Sequence, residues 1–255
     1  MENKKTYNPF SLEGKNILVT GASSGIGRAI AVECSRMGAN VVATARNETR
    51  LAETLAAMDS SGTHKSVIAD LSDAAALASL VESIESPLDG VVQCAGLTIP
   101  KPFQFLSEDD VDAVMSVNFY APVVLSRLLL KKKKLAKPSS IVFVSSINGV
   151  NVTYVGSSAY AASKGAVNGI AKTMALELSV KGIRVNCVNP GMVETAILSE
   201  GDFTQEQKSE DAKRYPLKRY GSPEEVAYAV IYLLSDASAW TTGTNLLVDG
   251  GYTLL

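Results

Sequence analysis

The stretch NILVTGASSGIGRAIAVECSR, at residues 16–36, decides the fold. It opens with an apolar run rich in Ile, Leu and Val, which is typical of a buried strand. Gly21, Gly25 and Gly27 then form a glycine-rich turn that leads directly into a helical pattern. Glycine lets a backbone approach a ligand closely, and the amino end of a helix offers free N–H groups and a positive dipole end. We interpret the turn as a cradle for a pyrophosphate group, against the simpler alternative of a turn without a ligand.

Short apolar runs alternate with longer helical patterns from this stretch to the end of the chain. The runs are continuously apolar, as expected when helices cover both faces of a parallel sheet. This alternation predicts an α/β fold: a single-domain, Rossmann-type doubly wound parallel sheet of about seven strands, with helices on both faces. The predicted strands are 16–20, 40–45, 66–70, 89–96, 140–146, 183–190 and 244–251, and the predicted helices are 25–37, 48–58, 73–85, 107–117, 119–135, 156–180 and 223–235.

The length of 255 residues suits one large domain, and no shift in composition marks a second one. We predict a single domain over 1–255, with an N-terminal extension at 1–14. The polar, charged segment at 196–216 is predicted to be a substrate lid, with a plain surface helix as the alternative.

Composition argues against several classes of protein. Hydrophobic residues make up 46 % and charged residues 20 % of the chain, and the net charge of −2 gives no general attraction to nucleic acid or membrane. The first residues lack the apolar core of a signal peptide, and no run reaches the ~18 apolar residues of a membrane-spanning helix. One histidine and three scattered cysteines offer no metal-binding spacing and indicate reduced thiols. We therefore expect a cytoplasmic protein with no metal, no nucleic-acid partner and no membrane.

In a doubly wound sheet, ligands bind beyond the carboxyl ends of the strands, so the residues there indicate what is bound. After the second strand the chain reads ATARNE, with Arg46 where an acidic residue would hydrogen-bond a ribose 2′-hydroxyl. An arginine suits a 2′-phosphate, so we expect NADP(H) to be preferred, with NAD(H) possible. The alternative for Arg46 is a solvated charge paired with Glu48.

The ends of the third and fourth strands also carry candidate ligand contacts. Asp70 and Leu71 follow the third strand, where a carboxylate would lie beside an adenine pocket. With Ser72 and Asp73 they could equally begin the next helix. Residues 94–96, Cys-Ala-Gly, form a tight turn of small side chains against which a flat ring could lie.

The helix predicted after the fifth strand contains GSSAYAASKGAVNG, residues 156–169, in which nearly every residue is small. The exceptions are Tyr160 and Lys164, which lie four residues apart and therefore on one helix face, one turn from each other. An ordinary packed helix could place a Tyr and a Lys together by chance. The pair therefore gains meaning only from the motifs around it.

Taken together, the motifs resemble those of the short-chain dehydrogenase/reductase family over nearly the whole chain. The segments RYGSPEEVAYAVIYLLSD (219–236) and TTGTNLLVDGGY (241–252) are most like the 3-oxoacyl-[acyl-carrier-protein] reductase branch. Many sugar, steroid and secondary-alcohol dehydrogenases share that pattern, so it indicates the reaction type more narrowly than the substrate. The motifs, in the family's order and close to its spacing, are TGASSGIG (20–27), Asp70-Leu71, Ala95-Gly96, Asn118 in SVNFY, Ser146 in VSSING, YAASK (160–164), NPGMVET (189–195) and VDGG (248–251).

The resemblance implies reversible hydride transfer between a nicotinamide and a carbonyl carbon. Tyr160 would donate the proton to the carbonyl oxygen, and Lys164 would stabilise the phenolate and bind the nicotinamide ribose. Ser146 would hold the substrate oxygen, and Asn118 would hold a water linking Lys164 to solvent. Cofactor contacts are implied for Gly21, Ser23, Ser24, Gly25, Ile26, Gly27, Arg46, Asp70, Leu71, Cys94, Ala95, Gly96, Tyr160, Lys164, Pro190, Gly191, Val193 and Thr195, and substrate contacts for Ser146, Val152, Tyr154, Tyr160 and Met192.

Two positions depart from the family pattern. The family usually has Asn where this chain has Cys94, and that Asn ties neighbouring strands together, so local rigidity is in question here. Ser146 lies 14 residues before Tyr160, where 13 is commoner in the family. Ser145 is therefore the alternative if the register differs.

We expect an NADPH-dependent oxidoreductase that reduces a ketone to a secondary alcohol, and the expected ketone is a 3-oxoacyl thioester. The alternatives are a dehydrogenase of a sugar, steroid or other secondary alcohol, and a catalytically silent NADP-binding regulatory protein. The run KKKKLAK (131–137) is expected to be a solvated helix end, and alternatively docks an acyl carrier protein together with Lys181. Helical patterns at 111–130 and 159–178 suggest a homotetramer or homodimer.

Overall fold

Seven parallel strands form the central sheet of the computed structural model, which describes residues 7–195 and 204–255. The strands are β1 Asn16–Thr20, β2 Asn40–Ala45, β3 Lys65–Ile68, β4 Leu88–Gln93, β5 Leu135–Val144, β6 Ile183–Pro190 and β7 Asn245–Val248. Their order across the sheet is β3-β2-β1-β4-β5-β6-β7. Every neighbouring pair is parallel, so the structure confirms the predicted doubly wound sheet.

Helices cover both faces of this sheet. They are α1 Gly25–Arg36, α2 Glu48–Ala56, α3 Ala74–Glu82, α4 Glu108–Met115, α5 Ala121–Lys131, α6 Ser158–Leu178, α7 Gln205–Ala212 and α8 Pro223–Leu234. Alternate residues of β1 point to opposite faces, and each face has its own core. Ile17 and Val19 pack with α1 and α8, whereas Leu18 packs with α3, α5 and α6. All three side chains are fully buried, which stabilises the fold by roughly 1.5–3 kcal/mol for each one.

Helix α5 ends in a Schellman motif that the sequence pattern did not predict. Lys133 adopts a left-handed φ of 55°, and its N–H donates to the carbonyl of Leu130 at 3.2 Å. The N–H of Lys134 donates to the carbonyl of Leu129 at 2.9 Å. The predicted helix over 119–135 is therefore wrong in its last residues. Glycine usually occupies the left-handed position, and here a lysine takes it.

The predicted N-terminal extension at 1–14 packs on the domain in the residues that the structure describes. Leu12 is fully buried, and its N–H donates to the carbonyl of Met37 at 2.9 Å. The N–H of Ala237 donates to the carbonyl of Pro9 at 2.9 Å. Both contacts reach far along the chain, so this segment is an integral part of the domain.

Helices α4 and α5 join through a π-helical turn, Ser116–Tyr120, into one continuous helix. In the described part of the chain, this is the one helix long and apolar enough to cross a membrane by length and composition alone. It packs on the sheet instead, with Leu125 and Leu129 fully buried and with α4 against α6. We therefore assign it to the helical layer of the domain.

Candidate active site

The glycine-rich turn after β1 is shaped by close backbone contacts. Gly21 has a φ of +68°, and a Cβ there would lie 2.8 Å from the Cα of Ala95. A Cβ on Gly27 would collide with the carbonyl oxygen of Gly21, and one on Gly25 would lie 3.3 Å from the side chain of Thr195. The turn thus packs against the end of β4 on one side and against Thr195 on the other. Its glycines are required by packing as well as by any ligand.

The amino end of α1 has the free groups that an anion needs. Ser24 is its N-cap residue, yet its side chain makes no capping hydrogen bond, and the first turn contains no acidic residue. The first N–H groups of a helix have no partner within the helix, so those of α1 remain available to a phosphate. Ser23 and Ser24 are half-buried beside them. These residues fit the pyrophosphate of a dinucleotide.

The hydroxyl of Thr20 ties the end of β1 to the end of β4. Its Oγ1 accepts the N–H of Cys94 at 3.0 Å and that of Ala95 at 3.1 Å, and it donates to the carbonyl of Val92 at 3.3 Å. These bonds connect the two strands although the usual Asn is absent at Cys94. Burial raises the pKa of the Cys94 thiol to about 12, so it stays protonated.

The ends of β2 and β3 place a cation and an anion near each other. Arg46 is exposed, and it forms no ion pair with Glu48 or any other described residue. The exposed carboxylate of Asp70 accepts from the hydroxyl of Ser72 at 2.7 Å and from its N–H at 3.0 Å. These bonds, and then the charge of Arg46, lower the pKa of Asp70. The N-cap of α3 is Asp73, so Asp70 does not begin that helix.

Tyr160 and Lys164 lie on the first turns of α6, as their spacing predicted. The Nζ of Lys164 lies 5.6 Å from the centroid of the Tyr160 ring and donates to the carbonyl of Val144 at 2.8 Å. Lys164 is only 5 % exposed, whereas Tyr160 is half-buried. A Cβ on Gly96 would lie 3.7 Å from this Nζ. The pair therefore faces the small-residue turn after β4, next to the glycine-rich turn.

Asn118 lies in the π-helical turn and joins the turn after β4 to α6. Its Oδ1 accepts the N–H of Leu97 at 2.7 Å, and its Nδ2 donates to the carbonyl of Leu97 at 2.9 Å. Nδ2 also donates to the hydroxyl of Ser163 at 3.0 Å. Asn118 is buried, and π-helical turns are frequent at functional sites. Its amide donors are fully used, so only one lone pair of Oδ1 is left for a water.

Two adjacent serines follow β5, and their surroundings differ. Ser145 is buried and donates to the carbonyl of Lys164 at 3.2 Å. Ser146 is half-buried, and its hydroxyl accepts the N–H of Asn148 at 3.0 Å. Ser146 therefore keeps its proton available to a substrate, whereas Ser145 is committed to the protein interior.

The comparisons with known proteins agree with this geometry. A family model described as enoyl-(acyl carrier protein) reductase matches residues 21–253. The chain belongs to the short-chain dehydrogenase/reductase family. A tropinone reductase homolog of Datura stramonium is 37 % identical over 96 % of this chain and 94 % of its own. The 3-oxoacyl-[acyl-carrier-protein] reductase FabG of Rickettsia bellii is 34 % identical over 95 % of this chain and 98 % of its own.

A solved structure of the same family carries a cofactor. It is a candidate NAD(P) dependent gluconate 5-dehydrogenase from Beutenbergia cavernae with bound NADP at low occupancy. It is 34 % identical to this chain, with a TM-score of 0.86, and the match covers 97 % of this chain and all of that one. The relatives thus include a 3-oxoacyl-[acyl-carrier-protein] reductase and a candidate gluconate 5-dehydrogenase, so they do not decide the substrate.

Several predicted cofactor residues of this short-chain dehydrogenase/reductase have side chains in the core. Leu71, Pro190 and Val193 are buried, and Ile26 packs against the core of the α1 face. At the three buried positions, the backbone groups are therefore the ones that can reach a ligand, whereas the side chain of Ile26 is partly accessible. Gly191 is half-buried after β6, where its N–H donates to the carbonyl of Val248 at 3.0 Å.

On the substrate side, aromatic residues that the sequence analysis missed surround Tyr154. Burial, and then the phenols of Tyr252 and Tyr215, raise the pKa of Tyr154. The ring centroids of Tyr215 and Tyr252 are 4.7 Å apart, and the guanidinium of Arg214 lies 5.5 Å from the centroid of Tyr252. The hydroxyl of Tyr215 accepts the N–H of Met192 at 3.1 Å. Two predicted substrate contacts, Tyr154 and Met192, are therefore linked through this aromatic cluster.

The cluster also bears on the predicted lid at 196–216. Residues 196–203 lie outside the described residues, whereas α7 and the residues after it are described. Tyr215 is buried, so the end of this segment is anchored on the domain. Val152, the remaining predicted substrate contact, is half-buried and pairs with Asn148 in the loop before α6. The sequence signal for the anchor at Tyr215 is a single tyrosine inside a charged segment.

Proposed function

We propose that this short-chain dehydrogenase/reductase uses NADPH to reduce a ketone to a secondary alcohol. The observation that carries the proposal is the Tyr160–Lys164 pair, which faces Gly96 beside the glycine-rich turn. A phenol next to a buried ammonium can lose and regain a proton at the ligand site. A binding protein without catalysis would not need this arrangement.

The residues of the chain supply orientation and proton transfer. When bound, NADPH supplies the hydride that reduces the carbonyl carbon. Tyr160 donates its proton to the carbonyl oxygen as the alcohol forms, and the ammonium of Lys164 stabilises the phenolate that remains. Ser146 donates a hydrogen bond to the same oxygen and holds it in line. Asn118 holds the turn after β4 against α6, and the free lone pair of its Oδ1 can bind the water that returns a proton towards Lys164.

The choice of NADPH rests on Arg46. Its side chain is exposed at the end of β2 and has no ion pair among the described residues, so it is free to bind a 2′-phosphate. The solved relative from Beutenbergia cavernae carries NADP, which supports the same choice.

The surroundings of the substrate side favour an apolar ketone. Phe103 is 78 % and Val155 is 97 % exposed, and the loops that carry them are joined by a hydrogen bond from the N–H of Lys101 to the carbonyl of Gly156. An exposed apolar rim beside a site suits a substrate with a hydrophobic tail. We therefore propose a 3-oxoacyl thioester, in line with the FabG relative.

Oxidation of a sugar acid is the second candidate, because the structure supplies a cation that the sequence did not reveal. Arg214 lies over Tyr252, beside Tyr154, and could bind a carboxylate. Its partner Asp211, 3.1 Å away, offsets part of the charge. An Arg214→Gln variant separates the two candidates: it should weaken binding of an acidic substrate and leave a neutral ketone unaffected.

Carrier-protein docking on Lys137 and Lys181 is a finer proposal that needs its own test. Lys137 lies near the start of β5, and Lys181 comes just before β6, so both lie at the amino ends of these strands. The Tyr160–Lys164 pair lies at the opposite, carboxyl end of β5. If the patch docks a carrier, charge reversal of Lys137 and Lys181 should raise KM for carrier-bound substrates only. An equal loss with a small thioester would contradict docking.

Assembly and compartment are proposed on features of the surface and of the cysteines. Tyr120 on the long α4–α5 helix is 59 % exposed and Leu176 on α6 is 77 % exposed, which supports pairing of these helices in a homodimer or homotetramer. Cys34, Cys94 and Cys187 are all free, which supports a reducing compartment such as the cytoplasm. Light scattering of the purified protein tests the assembly.

The decisive experiment is an NADPH-oxidation screen over acetoacetyl thioesters, diketones and keto sugars, with NADH in parallel. We expect turnover with the thioester or diketone and a clear preference for NADPH. Turnover confined to NADP-dependent oxidation of sugar acids would favour the second candidate. Absence of turnover in both directions would contradict the proposed function.

A further inference from the structure

A chain of buried polar side chains lies behind the Tyr160–Lys164 pair. Asn168 is one helical turn beyond Lys164 on α6, and its Nδ2 donates to the carbonyl of Lys164 at 2.8 Å and to the hydroxyl of Ser145. The Oδ1 of Asn168 accepts from the Nδ2 of Asn189 at 3.1 Å. These amides therefore join α6 to the end of β6 and to the residue that follows β5.

The direction of every bond in this chain is fixed by chemistry. The carbonyl of Lys164 can only accept, so the side-chain nitrogen of Asn168 must face it. The oxygen of Asn168 then faces Asn189, which must present its own nitrogen. A single arrangement of the two amides satisfies the contacts, and a buried network of this kind specifies one position for the helix.

The network is also costly, which indicates that it does more than stabilise the fold. Asn189 is fully buried, and its Oδ1 has no hydrogen-bond partner among the described residues. Burying an unpaired amide oxygen opposes folding, and a pair of apolar residues at positions 168 and 189 would avoid that cost. Stability alone would therefore not select Asn at this position.

We propose that Asn168 and Asn189 are positioning residues for the reaction. They hold the carbonyl of Lys164 while the carbonyl of Val144 holds its ammonium, so the lysine is fixed at both ends. This fixes the ammonium beside Tyr160 and above the turn at Gly96. The expected effect on turnover rests on the proposed function. The expected effect on NADPH binding rests only on the contacts of Lys164.

The matched control lies on the same strand. Asn186 is fully buried in β6 and also makes two side-chain hydrogen bonds: Nδ2 to the carbonyl of Thr241 at 3.0 Å, and Oδ1 from the N–H of Thr244 at 3.1 Å. It lies three residues before Asn189, so its side chain points to the opposite face of the sheet. Asn186→Ala therefore removes a comparable pair of bonds without touching α6.

The test compares Asn168→Ala, Asn189→Leu and Asn186→Ala with the wild type. Leu at position 189 keeps the number and branching of the side-chain heavy atoms, and it removes the unpaired oxygen together with the donor to Asn168, so it tests the network even where Asn168→Ala does not fold. For the two network variants we expect kcat to fall by about 10- to 100-fold with little change in KM for the carbonyl substrate. The alkaline rise of the rate of alcohol oxidation should also move to higher pH, because the phenolate loses part of its stabilisation.

NADPH affinity, measured by the fluorescence of the bound nucleotide, gives a readout that does not depend on turnover. We expect the network variants to bind NADPH several-fold more weakly and Asn186→Ala to bind it as the wild type does. Equal effects in all three variants, or no effect in Asn189→Leu, would overturn the inference. A wild type that binds NADPH but turns over no carbonyl or alcohol would contradict the proposed function only, because the affinity comparison still decides the positioning role.

Discussion

The ammonium of Lys164 lies 5.6 Å from the ring centroid of Tyr160, one helical turn away on α6. The same ammonium is already held by the carbonyl of Val144 at 2.8 Å. Because Lys164 is only 5 % exposed, little water screens its positive charge from the phenol of Tyr160. This relationship makes the proton chemistry of the site testable one residue at a time.

Tyr160→Phe removes the proton donor and keeps the ring. We expect the loss of nearly all turnover, with NADPH affinity close to that of the wild type, because the phenol oxygen is needed for proton transfer more than for binding. Stopped-flow NADPH oxidation and nucleotide fluorescence measure the two effects. Tyr228→Phe, on an exposed position of α8, is the control and should behave as the wild type. Turnover in Tyr160→Phe equal to that of the control would refute the assigned role.

Ser146→Ala tests which of the two serines after β5 contacts the substrate. Loss of one hydrogen-bond donor to a developing oxyanion costs about 10²–10³ in kcat, so we expect a fall of that size. Ser145→Ala should lower kcat much less and the melting temperature more, because Ser145 bonds to the buried carbonyl of Lys164. The reverse ranking of the two kcat values would show that the register differs by one residue.

The sequence predicted the parts of this site that depend on local spacing. The apolar runs gave β1, β2 and β6 with the bounds that the structure has. The four-residue interval between Tyr160 and Lys164 placed both on one face of a helix, because a helix repeats every 3.6 residues. The alternation of strands and helices predicted the doubly wound parallel sheet, because parallel strands need helical crossovers between them.

The parts of the fold and of the site that the sequence could not predict depend on long-range contacts or on an unusual backbone conformation. Asn189 meets Asn168 only after α6 has packed on β6, and nothing in either local pattern indicates that meeting. Tyr215 and Tyr252 are brought together in the same way. The end of α5 escaped prediction because Lys133, and not a glycine, takes the left-handed conformation there.

Arg46→Ala tests the choice between NADPH and NADH. A charge-assisted hydrogen bond to a 2′-phosphate contributes about 1.5–3 kcal/mol, so we expect KM for NADPH to rise by roughly 10- to 100-fold and KM for NADH to stay constant. Arg50→Ala removes another exposed arginine two positions into α2 and is the control. Parallel changes for both nucleotides in Arg46→Ala would contradict a role at the 2′-phosphate.

Ser222→Ala tests the start of α8, which packs beside α1. Ser222 and Glu225 form a capping box: the Ser222 side chain accepts the N–H of Glu225, and the carboxylate of Glu225 accepts the N–H of Ser222 at 2.8 Å. Loss of the cap should destabilise the protein by about 1 kcal/mol. Urea unfolding of the variant and the wild type measures the difference.

The carboxylate of Glu225 makes the stability of this helix start depend on pH in a defined direction, and Glu225→Gln removes that dependence. The hydrogen bonds from the Arg219 side chain and then from the Ser222 backbone lower the pKa of Glu225 to about 2, whereas an unfolded glutamate titrates at about 4.3. A carboxyl with a lowered pKa stabilises the fold above its unfolded value and loses that contribution as the pH falls through its folded value. The unfolding midpoints of wild type and Glu225→Gln should therefore be furthest apart above about pH 5 and converge towards about pH 2. Glu224→Gln, on the neighbouring exposed position, is the control. A gap between wild type and Glu225→Gln that stays constant over this range would show that the carboxylate charge contributes nothing to the helix start.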